Sequence, residues 1–478
     1  MKERWYILKY VKRVIEFLIC FISVHLFLGS IWLNSFYGHT TGDEKLFHLL
    51  VPLDGVNSEC YYSYFFRAVL PSIIIGSLIL LFRRKKLSKY VYIPMLIVSF
   101  TFGIYNLDIH TFIVNNVKSS SFIEDNYVEP SDVKIEFKDK KNLIYIMLES
   151  MENTYSSDKY GGAIENNLLP NLTDVALDNV SFSNTKKLGG ALYLEGSNFT
   201  VASMMAQTTG MPMKVGYSKQ GILDFSKFYL GTALGDILSD AGYKNYIIMG
   251  SDSKYGARDK LFSRHNYEVS DVNTAIKNKK MSSDDIVWWG YSDSDLFKYA
   301  KEDLMRISKE DEPFNYTMLT VDTHFEDGYL ADECKVKYDD QYSNVISCSD
   351  SLVFEFLEWV KKQDFYDDTV IVLVGDHLSM DQDFFEDVDS NYVRTTYNVF
   401  INVDKDSEVK MKEREFAQFD MMPTTISAVG GEIKGDRLAL GTNLFSDKKT
   451  LFEEYGYDYV RGELNKRSDF YNGFFAHK

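Results

Sequence analysis

Hydrophobic positions fall into two regimes along this chain. Through the first 110 residues they form long runs; beyond that they form short runs that stop abruptly at polar residues. The early runs extend from Val14 to about Tyr37, from about Tyr61 to Phe82 and from about Tyr90 to Asp108. Each is long enough to cross a bilayer as a helix. The first is too long for a signal peptide and lacks a small-residue cleavage site. Arg67 interrupts the second, where it can snorkel to the interface or serve a function within the membrane. Lys2, Arg4, Lys9, Lys12 and Arg13 precede the first run, and Arg83–Lys89 form a basic loop between the second and third, whereas Gly38–Glu59 is mildly acidic. Basic loops stay on the cytoplasmic side. The expected organisation is therefore a membrane anchor of three spans over 1–110, a polar linker over 111–139 and an extracytoplasmic domain over 140–478. The N-terminus would be cytoplasmic and the protein multi-pass in the cytoplasmic (inner) membrane.

Beyond the linker the pattern alternates between strand and helix periods. Strands are expected over Lys141–Leu148, Val180–Asn184, Asn245–Met249, Asn315–Val321, Thr369–Val374 and Asn398–Asn402. Helices are expected over Pro170–Asn179, Thr200–Thr208, Thr232–Ala241, Ser294–Ile307, Ser343–Lys362 and Gln418–Ala428. Such alternation predicts an α/β fold, a mostly parallel sheet flanked by helices. Two of the strands carry candidate chemistry. One ends in Glu149 and the other runs into Gly375, Asp376 and His377. Open α/β sheets bind ligands at the C-terminal ends of their strands. Either these are ordinary loop and cap residues, or two carboxylates and an imidazole hold a divalent cation such as Mn, Mg or Zn.

Three further residues have two readings each. Thr200, after Gly189, Gly190 and Gly196, opens an apolar helix as its N-cap, or as a nucleophile at the positive end of the helix. His324 follows a strand as a generic loop residue or as a general acid. Arg258 is a surface arginine or a bidentate phosphate ligand.

A net charge of -17 on 478 residues argues against nucleic acid, which requires a basic face. Cys20 and Cys60 fall in or beside the apolar runs, whereas Cys334 and Cys348 lie in the polar domain, where an external compartment permits a disulfide.

Four motifs in fixed order, NLIYIMLES, GSNFTVASMMAQTTGMP, LTVDTHFEDG and TVIVLVGDHLSM, resemble the membrane-bound phosphoglycerol transferases of the alkaline phosphatase and sulfatase superfamily, including lipoteichoic acid synthase. The likeness covers roughly Lys141–Ser446 and includes WWGYSDSD around Trp289. It implies one divalent cation, Mn2+ before Mg2+ or Zn2+, on Glu149, Thr200, Asp376 and His377. It implies Thr200 as the nucleophile toward phosphatidylglycerol, His324 beside the leaving or attacking oxygen, and Arg258 on glycerol phosphate. The acceptor would be an envelope glycan or a glycerol-phosphate hydroxyl. Where the synthase has aromatic-Trp-Asn-Arg, this chain has Tyr255, Gly256, Ala257 and Arg258. A conventional sulfatase would need a cysteine near Thr200, and none is there. A phosphoethanolamine transferase, a phosphodiester hydrolase and a membrane-anchored glycan-binding scaffold are the alternatives.

Overall fold

The computed structural model describes residues 2–37, 41–50, 58–82, 88–215, 217–218, 221–222, 231–324, 326–403 and 409–474. Of the basic loop expected over Arg83–Lys89, residues 83–87 lie outside them, and Ser88 and Lys89 open a helix, Ser88–Asn106. The chain divides into two units, one of residues 1–46 and 56–117, the other of residues 47–55 and 118–478.

In the first unit, two described helices are long and apolar enough to cross a membrane, Trp5–Ser35 and Cys60–Phe82. A third candidate is a pair, Ile93–Asn106 and Ile109–Val117, bent by 62° at the break. Arg67 sits in a π-helical turn, Phe65–Val69. Polar side chains tie the helices together: His25 Nε2 lies 2.7 Å from the Tyr64 hydroxyl, and Trp32 Nε1 donates to Ser63 Oγ at 2.9 Å.

The second unit is organised by a six-stranded sheet. In chain order its strands are β1 (Asn142–Leu148), β2 (Lys244–Met249), β3 (Tyr267–Ser270), β4 (Phe314–Leu319), β5 (Thr369–Gly375) and β6 (Asn398–Ile401), and across the sheet they run β6-β5-β1-β4-β2-β3. All neighbours are parallel except β6, which runs antiparallel to β5. Strands β1, β4 and β5 are buried almost throughout. Central parallel strands are covered by helices on both faces, which explains their unbroken apolar runs. The β1–β5 register pairs Leu148 with Gly375, so both strands end at one level with Glu149 and Asp376 just beyond.

Two expectations need correction. The strand expected at Val180–Asn184 does not form: Val180 makes a single antiparallel bridge to Phe400, and the Phe182 N–H goes to the side chain of Asn398 at 3.0 Å. The stretch 111–139 is not featureless. It contains the helices Ile109–Val117 and Phe122–Asn126, and a short strand, Ile135–Phe137, paired with Gly431–Ile433. The short edge strand β3 and the helices Leu451–Tyr455, Tyr457–Asn465 and Asp469–Gly473 were not anticipated from the pattern. The disulfide between Cys334 and Cys348 is present.

Candidate active site

The chain turns sharply as β1 ends. Ser150 takes a left-handed backbone conformation (φ 51°), its N–H donates to Asp376 Oδ1 at 2.8 Å and its hydroxyl to Glu149 Oε1 at 2.8 Å. A positive φ at a non-glycine residue is held only where its surroundings over-determine it. Here the turn locks Glu149 against Asp376. Gly375 lets the two strand ends approach, since a Cβ there would lie 1.8 Å from the Met151 carbonyl oxygen. The Glu149 N–H is held by Thr320 Oγ1 at 2.8 Å, and its carbonyl accepts from Thr323 Oγ1 at 2.5 Å. Both threonines follow β4, so three adjacent strand ends build the site.

Glu149, Asp376 and His377 are all buried, and each offers a ligand atom within 4.8 Å of the others. His377 Nδ1 faces the Leu378 carbonyl at 2.9 Å, which leaves Nε2 directed at Glu149 Oε1 (3.3 Å) and Asp376 Oδ2 (3.5 Å). A backbone partner on one ring nitrogen is how metal-ligating histidines are usually oriented. Asp376 Oδ2 is buried and has no hydrogen-bond partner among the described residues. A buried carboxylate oxygen that accepts no hydrogen bond is costly unless a cation answers it, and the described residues offer only the His377 imidazole at 3.5 Å. Together with two hard acidic donors and one imidazole, this fits a single divalent cation.

The electrostatics agree. Burial, reinforced by Glu149, pushes the Asp376 carboxyl up to about 7. Burial opposes charge on His377 too, but Asp376 and Glu149 outweigh it and lift the imidazole to about 10. Burial likewise opposes charging Glu149, yet His377 and His324 hold it down at about 2.

Thr200 comes to the same place. Its Oγ1 lies 3.2 Å from Glu149 Oε2 and 3.4 Å from His377 Nε2. The N-cap of helix Thr200–Thr209 is Phe199, in extended conformation, and the Thr200 side chain makes no capping bond. The N-cap reading of Thr200 therefore fails. Thr200 is the first helical residue, and its hydroxyl is turned to the acidic cluster. The helix is anchored below by Tyr145, whose hydroxyl donates to Gln207 Oε1 at 2.7 Å, and by Ser203, which donates to the Asp376 carbonyl.

Arg258 is buried, which removes the surface reading. Its Nε and Nη2 donate to the carbonyls of Tyr255 (2.9 Å) and Asp252 (2.7 Å), and burial pushes its pKa down despite Tyr255 and Glu149. The preceding left-handed residues, Gly256 (φ 65°) and Ala257 (φ 55°), aim it inward. His324 is half-buried between Trp288 and Trp289, with ring centroids at 5.9 and 5.2 Å.

Two residues near the site had no signal in the sequence. Phe47 and His48 belong with the second unit, and both rings pack on Phe199, at 5.3 and 5.6 Å, next to Thr200 in sequence. Burial, with His324 nearby, holds His48 down at about 4.

The mostly parallel sheet flanked by helices is the fold of the alkaline phosphatase superfamily. A family model described as Sulfatase matches residues 141–431, and the chain belongs to that family. Phosphoglycerol transferase I of Salmonella paratyphi B is 31% identical over 256 residues, covering 50% of this chain and 31% of the relative, so the match spans under a third of that relative's length. The relative of the same name from Salmonella typhi matches equally. Among solved structures, the lipoteichoic acid synthase LtaP from Listeria monocytogenes superposes with a TM-score of 0.50 at 17% identity, over 69% of this chain and 82% of that one. The lipooligosaccharide phosphoethanolamine transferase A from Neisseria meningitidis gives 0.51 at 14% identity, over 88% and 85%. These two likenesses speak to the fold alone.

Proposed function

We propose that this protein transfers glycerol phosphate from phosphatidylglycerol to a hydroxyl of a cell-envelope glycan through a covalent intermediate on Thr200. The observation that carries the reading is Thr200 Oγ1 placed against Glu149 and His377, beside Asp376 Oδ2, which accepts no hydrogen bond among the described residues. Similarity to phosphoglycerol transferase I supports the choice of donor.

Glu149, Thr200, Asp376 and His377 would hold one divalent cation, Mn2+ in this reading with Mg2+ or Zn2+ as alternatives, which would supply Lewis-acid stabilisation and a lowered hydroxyl pKa. The chain's own residues do the rest. Thr200 Oγ1 forms a bond to phosphorus as the bond to the diacylglycerol oxygen breaks. The N–H groups opening helix Thr200–Thr209 face the phosphoryl oxygens, where the helix dipole favours negative charge. Arg258, fixed by two carbonyls, holds the glycerol phosphate headgroup. His324 donates a proton to the departing oxygen and takes one from the acceptor hydroxyl in the second half-reaction. Thr200 gives its proton to solvent before the attack and takes one back from solvent when its oxygen leaves.

The apolar helices tether the site to its lipid donor, which raises the donor's effective concentration. An extracytoplasmic catalytic unit and a cytoplasmic N-terminus are supported by the basic residues before the first span and by the Cys334–Cys348 disulfide.

The test uses full-length protein in detergent with phosphatidylglycerol and Mn2+, following diacylglycerol release and glycerol phosphate on added oligosaccharides. The reading expects both, and neither from Thr200→Ala. Turnover of phosphatidylethanolamine instead would assign the phosphoethanolamine transferase alternative, and release of glycerol phosphate to water alone would make the protein a hydrolase. Glycan binding with no turnover of either lipid would leave a scaffold.

A further inference from the structure

A histidine far from the sulfatase-like segment in sequence joins the unit that holds the acidic cluster. His48 lies between Trp5–Ser35 and Cys60–Phe82, the two described helices long and apolar enough to cross a membrane, yet residues 47–55 belong with residues 118–478. It is carried by the short helix Gly42–Leu50, next to Phe47, whose side chain is fully buried. A residue tied by sequence to a spanning helix on either side stays within reach of a lipid headgroup, because the acyl chains hold the lipid at the same surface.

Three rings set the position of its imidazole. Phe47 lies at 5.4 Å and Phe199 at 5.6 Å, and Tyr255 stacks on it with centroids 6.2 Å apart and planes at 19°. Stacking fixes the plane of a ring and leaves the nitrogens at its edge for hydrogen bonds. His48 is half-buried and not sealed into the core.

Both outer rings belong to segments that carry the proposed chemistry. Phe199 is the N-cap of helix Thr200–Thr209 and immediately precedes Thr200. The Tyr255 carbonyl accepts from Arg258 Nε at 2.9 Å, and the Arg258 guanidinium lies over the Tyr255 ring at 5.7 Å. One tyrosine therefore orders both Arg258 and His48. Burial, with His324 nearby, keeps the His48 imidazole neutral near pH 7, so it offers one N–H donor and one acceptor lone pair.

We infer that His48 is a specificity-determining residue of the donor site, whose imidazole hydrogen-bonds the glycerol hydroxyls of the lipid headgroup and so selects glycerol over a headgroup ending in an ammonium. The inference rests on the transferase reading above, in which Arg258 holds the phosphate; it adds the residue that reads what the phosphate carries. A vicinal diol both donates and accepts, and so can answer both imidazole nitrogens. An ammonium only donates, which leaves the imidazole N–H unanswered and brings a second cation toward Arg258.

The experiment measures diacylglycerol release by full-length protein in detergent with Mn2+ and oligosaccharide acceptors. Two donors are compared: phosphatidylglycerol, and phosphatidylmethanol, which has the same charge but no headgroup hydroxyl. His48→Phe keeps a stacking ring and removes both nitrogens, and His48→Gln restores a donor and an acceptor. The inference expects His48→Phe to raise KM for phosphatidylglycerol about tenfold, the scale of one or two lost hydrogen bonds, with kcat within about threefold of wild type. KM for phosphatidylmethanol should shift by no more than about twofold, since there is no hydroxyl to lose. His48→Gln should recover part of the phosphatidylglycerol KM, which a purely structural histidine would not predict. An unchanged phosphatidylglycerol KM in His48→Phe would overturn the inference. Equal losses on both donors, or a His48→Gln protein as poor as His48→Phe, would overturn it too, as would wild type that uses both donors with the same KM. Absence of any diacylglycerol release from wild type with phosphatidylglycerol would instead refute the transferase reading itself.

Discussion

Two buried acidic clusters lie near the ends of neighbouring strands, and their difference separates the proposed reactive site from a structural pair. Asp293 and Asp322 are both buried, yet each is answered by the backbone of the other's segment. Asp293 accepts from the N–H groups of Val321 (2.8 Å) and Asp322 (3.2 Å), and Asp322 accepts from the N–H of Asp293 (3.1 Å). Burial pushes both carboxyls up, and Asp293 adds to the rise at Asp322. This pair retains a proton and fastens the His324 loop to helix Asp293–Ile307. The Glu149, Asp376 and His377 cluster is equally buried, but Asp376 Oδ2 accepts no hydrogen bond among the described residues, His377 Nε2 lying 3.5 Å away, and Thr200 faces the group. Burial of acid is common to both. An unmet lone pair beside a hydroxyl is found only in the second.

The contrast can be broken most sharply at Thr200. Thr200→Ala should reduce turnover by about three orders of magnitude or more while leaving the melting temperature nearly unchanged, as expected for loss of a nucleophile. At the same cluster, Mn2+ should raise the melting temperature of wild type, and Asp376→Asn should abolish that rise, because only a state that binds the ion is stabilised by it. Removing the Cys334–Cys348 disulfide by Cys→Ser substitution should cost about 3 kcal/mol, the scale for a loop with a sequence separation of 14, measured by denaturant unfolding. This would leave both clusters intact.

The smallest effect belongs to the structural pair. A carboxyl whose folded pKa is raised binds a proton that the unfolded chain has released, so stability falls as pH rises from about 4 toward the raised value. Asp322→Asn keeps one acceptor for the Asp293 N–H and removes that titration. Wild type should lose about 1 kcal/mol more than the variant between pH 6 and 7. Parallel curves would refute the protonated pair.

Much of this was legible in the sequence, for a physical reason. Strands β1 and β5 are buried on both faces, so their apolar runs and polar endings stand out, and Glu149, Asp376 and His377 follow from them. Edges and loops obey weaker rules. Val180–Asn184 has strand composition but spends the Phe182 N–H on an Asn398 side chain, and β3 is too short to register. Thr200 as first helical residue and as N-cap differ by one position, which composition does not resolve. Arg258 is buried through two left-handed residues, one of them an alanine, and Trp288 occupies a conformation that turn rules assign to glycine. Conformations that defy propensity are held by tertiary contacts, and no local pattern announces them.

The central claim is that Thr200 becomes covalently charged by the lipid. Its most direct test is peptide mapping by mass spectrometry of full-length protein quenched after incubation with phosphatidylglycerol and Mn2+. A glycerophosphate adduct on Thr200, absent without Mn2+ and in Asp376→Asn, is the predicted result. Diacylglycerol release and acceptor modification proceeding in Thr200→Ala at the wild-type rate would contradict the account.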